Sequence, residues 1–408
     1  CCGRRRLSRE PVATAMNLNA VSLEDFEQLA RRRLPRFVFD LIQGGVEAET
    51  GLTRNRKAFE ALELHPRFLS STGQRSQEAN LWGQTFASGF GIPPMGAGDL
   101  FRRGLDAMLA QSAEAERIPF VMSSVSMAMP EEVRPLAPRS FWMQLYLSKD
   151  RAISADMVRR IEDLGVQHLV LTVDTPVMPK RERGLRNRVS LPIQANAVPR
   201  LALQCITRPA WLYEYFVHGG MPLMKNWAPY APEGASAAQV AAFYRSQSPC
   251  LQEWKDVEWL RERWPGKLVL KGIVHPAEAQ RAQRIGVDGV ILSNHGGKVL
   301  DAMPSPISVL PDVRRAVGPD FVVMVDSGIR RGSDVVVARA LGADFVFVGR
   351  PALYAAVAGG ASGARRMISI LKQEIDITLA LLGCSSLEDV TQDVLLPQSA
   401  KTPGRAAA

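Results

Sequence analysis

Eight short apolar runs alternate with helix-like segments from residue 88 onward, and this alternation constrains the fold more than any other feature of the chain. Helical patterns such as 276–285 and 332–341 lie between most of the runs. Eight parallel strands with intervening helices predict an α/β protein with a (β/α)8 TIM barrel. A doubly wound open sheet is the alternative, but no Gly-x-Gly-x-x-Gly motif follows an early strand. The predicted strands are 89–92, 119–122, 141–146, 168–174, 268–271, 289–293, 321–326 and 345–349.

Two segments fall outside this repeat. Residues 22–66 begin with Ser22-Leu-Glu-Asp25, which resembles a capping sequence, and they predict an N-terminal helical cap. Residues 177–267 separate the fourth and fifth strands and are too long for an ordinary connection. We therefore predict one domain over residues 16–390, with a lid or membrane-docking insertion at about 190–250. A disordered tail is expected at 1–15 and a C-terminal tail at 391–408.

Composition and charge narrow the function classes. The chain has 408 residues, is 46% hydrophobic and carries a formal net charge of +9, which favours anionic substrates, cofactor phosphates or acidic lipid. Dispersed cations with no recognition-helix, zinc-finger or RNA-binding signature argue against nucleic acid. The histidines show no metal-ligand spacing, so no metal site is expected. Five cysteines without Cys-x-x-Cys, and no long apolar run, predict a cytoplasmic protein that is soluble or peripheral to the membrane.

Polar side chains are concentrated where the predicted strands end. Because residues two apart on a strand share a face, they converge in pairs. Alternate barrel strands contribute to the same interior layer, so Asp174 and His295 are expected to meet across the mouth. A carboxylate beside an imidazole stabilises imidazolium and fixes the tautomer, as a general base requires. The other candidates at strand ends are Ser123 with Val125, Gln144 with Tyr146, Thr172, Ser293 and Lys271.

The loops after the seventh and eighth strands predict an anion site. They read Asp326-Ser-Gly328-Ile-Arg330-Arg-Gly and Gly349-Arg350-Pro, and they supply glycines, arginines and backbone N–H groups. Barrels of this kind usually bind phosphate there. Just beyond the fourth strand, Arg181 is a candidate bidentate clamp for a carboxylate, with a solvated charge run as the alternative.

These residues closely resemble the FMN-dependent L-2-hydroxy acid dehydrogenase/oxidase family, and most of all its (S)-mandelate and L-lactate dehydrogenase branch. The resemblance covers about residues 20–390. Four blocks in family order carry it: Leu-Thr-Val-Asp-Thr-Pro at 171–176, Ser-Asn-His-Gly-Gly at 293–297, the segment 326–334, and Val-Gly-Arg-Pro at 348–351.

The resemblance implies FMN as cofactor and oxidation of a 2-hydroxy acid to the 2-oxo acid. His295 would be the base, Asp174 would support the imidazolium, and Tyr146 and Arg181 would hold the substrate carboxylate and hydroxyl. Lys271 would lie by flavin N1 and C2=O. The flavin ring, ribityl chain and phosphate would be bound by Met95, Gly96, Ser123, Gln144, Thr172, Ser293, Asp326, Gly328, Arg330, Gly349 and Arg350.

The resemblance also implies partners. The expected electron acceptor is a quinone, with oxygen as the alternative. Residues 200–230, which mix aromatic and basic side chains, would dock on the inner face of the cell membrane, with a packed lid over the flavin as the alternative. A homo-tetramer is the expected assembly.

Two positions depart from the family pattern, and a third differs from one branch of the family. Leu41 stands where the family usually has Tyr, and Lys298 stands where it usually has Arg, so a point charge replaces a planar fork at this candidate substrate ligand. Val125 stands where glycolate oxidases carry a bulky aromatic, which leaves room beyond the substrate α-carbon. An aryl or larger, mandelate-like substrate is therefore expected. A flavin-binding homologue that has lost turnover is the alternative that Leu41 and Lys298 suggest.

Overall fold

The protein is described here by a computed structural model that covers residues 19–187 and 197–396. The tail predicted at 1–15 lies outside the described residues, as do residues 188–196 of the predicted insertion and residues 397–408 of the predicted C-terminal tail.

Eight parallel strands form a barrel, so the fold predicted from the sequence is confirmed. They pair in chain order, and the ring closes where Val121 N–H donates to the Ile92 carbonyl at 2.9 Å. Strands β3 to β10 are the barrel strands, and β1 and β2 form a separate antiparallel hairpin. The strands are β1 Ala79–Leu81, β2 Gln84–Phe86, β3 Phe90–Gly91, β4 Phe120–Ser123, β5 Phe141–Leu145, β6 His168–Thr172, β7 Lys267–Ile273, β8 Gly289–Leu292, β9 Val322–Val325 and β10 Phe345–Phe347.

The helices fall into three groups. The first three form the N-terminal cap, in which the Ser22 hydroxyl and the Asp25 carboxylate make a reciprocal capping box. They are α1 Leu23–Arg33, α2 Arg36–Gln43 and α3 Thr50–Glu60. The insertion after β6 contains α8 Glu182–Arg186, α9 Val198–Ile206, α10 Pro209–Val217, α11 Ala237–Gln247 and α12 Trp254–Arg263. The remaining helices are α4 Gly98–Phe101, α5 Leu105–Ala115, α6 Pro130–Val133, α7 Arg151–Asp163, α13 Pro276–Arg284, α14 Pro306–Val317, α15 Gly332–Ala340 and α16 Arg350–Leu382.

The hairpin of β1 and β2 closes the amino-terminal end of the barrel. Leu81 and Phe86 are buried in one apolar cluster with side chains from the barrel interior, including Trp142 and Phe345. The hairpin was not predicted from the sequence, because its strands are only three residues long. Its turn places Trp82 and Gly83 at positive φ. Since this end is filled, the barrel is open to a ligand at the carboxyl ends of the strands.

Helices α9 and α10 of the insertion pack on the N-terminal cap and on α4. The Phe37 N–H donates to Gln204 Oε1 at 3.0 Å, and the Trp211 Nε1–H donates to the Leu100 carbonyl at 2.9 Å. The outer surface of the two helices exposes the apolar side chains of Leu203, Ile206, Tyr213, Phe216 and Val217. In the part of the chain that the structure describes, no helix is long and apolar enough to cross a membrane.

Candidate active site

A cavity of about 420 Å³ opens at the carboxyl ends of the barrel strands. It brings together most of the residues that the sequence singled out. Those that line it are Met95, Gly96, Ser123, Tyr146, Thr172, Arg181, Lys271, His295, Lys298, Asp326, Gly328, Arg330, Gly349 and Arg350. Asp174, Gln144 and Ser293 are not in the lining; they contact lining residues from behind.

His295 and Asp174 form a direct pair. His295 Nδ1 lies 2.9 Å from Asp174 Oδ1 and 3.2 Å from Oδ2. Burial raises the pKa of Asp174, but His295, and then Lys271, lower it below its ordinary value, so the carboxylate is ionised at neutral pH. An ionised carboxylate accepts the proton of Nδ1, which leaves Nε2 as the basic nitrogen. That nitrogen lies 3.5 Å from the Tyr146 hydroxyl, on the cavity wall.

Unusual backbone conformations hold this pair in place. His295 itself has a φ of 57°, in the left-handed region that few non-glycine residues adopt. On β7, Gly272 has a φ of 107°, at a point where the register with β8 shifts. A Cβ added to Gly272 would lie only 2.5 Å from the Asp174 Cβ. Asp174 can therefore occupy its place only because residue 272 is a glycine, which sequence reasoning did not identify.

Lys271 is buried between two strand ends. Its Nζ lies 2.7 Å from Ser293 Oγ and 2.8 Å from Asp326 Oδ2. The same Ser293 hydroxyl accepts the backbone N–H of His295 at 3.0 Å. The Nζ atom of the lysine therefore has a fixed position on the cavity wall, and the hydroxyl connects it to the loop that carries His295.

A ladder of side chains runs across the ends of β4, β5 and β6. The Ser123 hydroxyl donates to Gln144 Oε1 at 3.1 Å, and Gln144 Nε2 donates to the Thr172 hydroxyl at 3.0 Å. Ser123 and Thr172 line the cavity and Gln144 does not, so Gln144 orients the other two side chains.

Two partly buried arginines lie at the predicted anion site. Burial lowers the pKa of Arg330, and burial together with the charge of Arg330 lowers the pKa of Arg350 to about 10. Neither side chain forms an ion pair with a carboxylate of the described residues within 4 Å. Arg350 donates instead to the carbonyls of Ile42, Gly44 and Gly296. Two adjacent, desolvated guanidinium groups are stabilised by an anion, and the phosphate of FMN fits this requirement.

Lys298 is already engaged with the cap. Its Nζ donates to the Leu41 carbonyl at 2.8 Å, near the carboxyl end of α2. Burial, followed by the nearby charges of Arg350 and Arg181, lowers the pKa of Lys298 well below its ordinary value. Leu41 also lines the cavity and offers it only methyl groups.

Several residues around the site were missed by sequence reasoning. Ser327 has a φ of 75°, and its hydroxyl accepts the Gly296 N–H at 2.9 Å. Asn55 on α3 and Asn294 in the histidine motif exchange side-chain hydrogen bonds of 2.9 and 2.7 Å. Tyr244 lines the cavity from the insertion. The partners of these residues are distant in sequence. The number of polar residues in the motif loops was the only sign of such contacts in the sequence.

The fold and the site together define a class, an oxidoreductase barrel that binds a phosphorylated flavin beside a paired histidine. The family of FMN-dependent dehydrogenases matches this chain over residues 30–397. The chain belongs to that family, and its cofactor is FMN.

Relatives and solved structures are consistent with this assignment. The L-lactate dehydrogenase of Pseudomonas aeruginosa is 36% identical over 372 residues, which are 91% of this chain and 97% of that protein. The L-lactate dehydrogenase of Xanthobacter autotrophicus is 36% identical over 386 residues, which are 95% of this chain and 99% of that protein. A crystal structure of the monotopic membrane protein (S)-mandelate dehydrogenase superposes with a TM-score of 0.88 at 36% identity, covering 93% of this chain and 99% of that one. The enzyme is therefore an FMN-dependent 2-hydroxy acid dehydrogenase.

Proposed function

We propose that this enzyme oxidises an L-2-hydroxy acid with an aryl or similarly large side chain to the 2-oxo acid, with His295 as the base. The observation that carries the proposal is the bond between His295 Nδ1 and Asp174, which leaves Nε2, beside the Tyr146 hydroxyl, as the basic nitrogen at the cavity wall. The imidazolium that forms when Nε2 takes a proton is stabilised by the buried carboxylate. FMN, when bound, supplies the two-electron acceptor.

Neighbouring side chains position the acid. Arg181 offers a planar guanidinium for the carboxylate from the cavity wall. Burial, and then the charge of Asp174, raise the pKa of Tyr146 well above its ordinary value, so its hydroxyl stays protonated and can donate to the substrate. Lys271 provides a fixed positive charge on the cavity wall where electron density accumulates during the reaction.

The preference for a large side chain follows from the cavity wall beyond His295. Val125 is part of this wall, together with the apolar side chains of Phe101, Val177, Met178 and Pro249. A small acid such as lactate leaves this apolar surface uncovered, whereas an aryl ring buries it, at about 25 cal/mol for each Å² removed from water. The structurally similar (S)-mandelate dehydrogenase acts on an aryl 2-hydroxy acid.

For the electron acceptor we propose a quinone reached at a membrane surface. The exposed apolar side chains of α9 and α10, in residues 200–230, are suited to the headgroup region of a bilayer. Peripheral contact with the inner face of the cell membrane and a homo-tetrameric assembly complete this proposal. Sedimentation of the FMN-loaded protein with anionic vesicles tests the contact, and failure to bind them would refute it.

An oxidase that releases peroxide is the second candidate, because structures of mandelate oxidase align at 31–32% identity with TM-scores of 0.75 to 0.78. The rates at which air and a soluble quinone reoxidise the reduced flavin distinguish the two. A fast reaction with quinone and a slow one with air supports the dehydrogenase.

Anaerobic bleaching of the flavin absorbance tests the central proposal. (S)-Mandelate is expected to reduce the FMN-loaded enzyme faster than L-lactate, and (R)-mandelate is the matched control. Bleaching by lactate alone would refute the aryl preference. If no acid in a broad alkyl and aryl panel bleaches the flavin, the chain is instead an FMN-binding homologue without turnover, the alternative that Leu41 and Lys298 suggest.

A further inference from the structure

Tyr244 brings a hydroxyl group to the cavity from the insertion, although it belongs to none of the motifs singled out in the sequence. It lies on α11 and lines the same cavity as His295 and Arg181. The charge of Arg181 lowers the pKa of Tyr244, and Tyr244 in turn raises the pKa of Tyr146. The three side chains Arg181, Tyr146 and Tyr244 are therefore neighbours around one part of the cavity.

The ring of Tyr244 is held against the barrel. It makes an edge contact with the ring of Trp227, with centroids 4.9 Å apart and planes at 66°. Trp227 is completely buried, and its Nε1–H donates to the Ser124 carbonyl at 2.9 Å, in the loop after β4. Because Trp227 is fixed in this way, Tyr244 has a defined orientation before any ligand arrives.

The proton of the Tyr244 hydroxyl is available to a ligand. Burial raises the pKa of this phenol, so it is protonated at neutral pH, while a hydrogen bond from Ser248 and the charge of Arg181 lower the pKa in part. The protonated phenol keeps an O–H to donate, and Arg181, where an anion would bind, lines the same cavity.

The N-terminal cap offers the cavity few hydrogen-bond donors. Leu41 has no hydroxyl to offer the cavity, and Lys298 gives one of its protons to the Leu41 carbonyl. A carboxylate bound at Arg181 therefore finds fewer hydrogen-bond donors on α2 than the family pattern leads one to expect. The insertion supplies a donor that the cap lacks.

We propose that Tyr244 is a substrate-binding residue whose hydroxyl donates a hydrogen bond to the carboxylate of the 2-hydroxy acid held by Arg181. The assignment rests on the function proposed above, since it takes the anion to be a substrate carboxylate. It makes the insertion part of the substrate site, so that α11 contributes to specificity as well as covering the cavity.

The test is the Tyr244→Phe variant of the FMN-loaded protein, with Tyr213→Phe as a matched control. Tyr213 lies exposed on α10 of the same insertion, and it is not part of the cavity lining. The dissociation constant of oxalate, measured from its perturbation of the oxidised flavin spectrum, is expected to rise about tenfold or more in Tyr244→Phe, as is usual when a hydrogen bond to a charged group is lost. The KM for (S)-mandelate should rise with it, while kcat stays within about threefold, because the bond is present before and during the reaction. Tyr213→Phe should match the wild type.

A rescue variant separates a lost contact from a general disturbance. Leu41→Tyr in the Tyr244→Phe background restores a hydroxyl from the cap and is expected to recover at least part of the oxalate affinity. An oxalate affinity that is unchanged in Tyr244→Phe would overturn the assignment. If no acid reduces the wild-type flavin, yet Tyr244→Phe still weakens oxalate binding, the proposed function falls and the carboxylate contact stands.

Discussion

The two ends of the barrel each hold a histidine close to strand β6, and the two side chains have opposite surroundings. At the open end, His295 is bonded to Asp174, just beyond the last residue of β6. At the closed end, His168 is the first residue of β6, and its ring stacks on Trp142 with centroids 4.5 Å apart. Burial, and then the charge of Lys267, lower the pKa of His168 to about 4. One histidine is paired with a carboxylate, and the other is kept neutral by its apolar surroundings.

This difference shows what the barrel does at each end. The closed end excludes water with aromatic rings from the β1–β2 hairpin and the strands. The open end contains the buried ion pair of Lys271 and Asp326, and it also contains His295 and Ser327 in left-handed conformations. Backbone strain and buried charge reduce stability, and at this end they coincide with the proposed sites of binding and proton transfer.

The largest effect expected is loss of turnover in His295→Asn. Without a base, the rate of flavin reduction should fall roughly a thousandfold, within the range of general base catalysis. FMN content and thermal stability should remain close to the wild type, since the side chain lies on the wall of an open cavity. His168→Asn is the matched control, and its kcat per bound FMN should be preserved. Equal losses in the two variants would contradict the division between the ends.

The next effect is on stability, in Trp142→Ala at the closed end. The residue is completely buried, and its ring N–H has no hydrogen-bond partner among the described residues, so truncation removes packing alone. The free energy of unfolding should fall by about 3–5 kcal/mol. Denaturant unfolding measures this loss, and kcat below the melting transition should not change. A fall in kcat with unchanged stability would show that the closed end contributes to the chemistry.

The barrel strands and the pairing of Asp174 with His295 were predictable from the sequence, because the strands carry local patterns and each of the two residues follows one of them. Apolar runs indicated the barrel strands, and barrel geometry then placed Asp174 and His295 at one mouth. The β1–β2 hairpin was missed, because two three-residue strands around Trp82 and Gly83 carry too little periodicity. Roles for the individual flavin and substrate ligands remain predictions.

Residues outside the strand-end motifs could not be identified in advance. Gly272 is required by the Cβ of Asp174, which is nearly one hundred positions earlier in the chain and follows the neighbouring strand. Tyr244 reaches the cavity only because its helix folds back over the strand ends. Neither position carries a local pattern, so only the three-dimensional arrangement shows what each contacts.

A pH experiment sharpens the contrast between the two histidines. In the unfolded chain His168 takes up a proton below its ordinary pKa of 6.5, whereas in the folded protein it does so only below about 4. Its contribution to stability is therefore complete above pH 6.5 and is lost as the pH falls towards 4, by about 3 kcal/mol at most. His168→Phe keeps a ring against Trp142 but cannot titrate. The stability of the wild type relative to this variant should decline across that window, and parallel curves would contradict the depressed pKa.

The smallest change is expected for Gly272→Ala, which should lower both the stability and the rate of flavin reduction. A non-glycine residue at a φ of 107° costs about 1–3 kcal/mol, so denaturant unfolding should show a loss in this range. The added methyl also meets the Asp174 Cβ at 2.5 Å and must displace that carboxylate from His295. The rate of flavin reduction should therefore fall about tenfold, as expected when a supporting group is misplaced. Gly83→Ala is a suitable control, because Gly83 also has positive φ but nothing lies within 4 Å of its Cβ position. This variant should lose stability and keep the full rate of flavin reduction, because its strain does not displace His295 or Asp174.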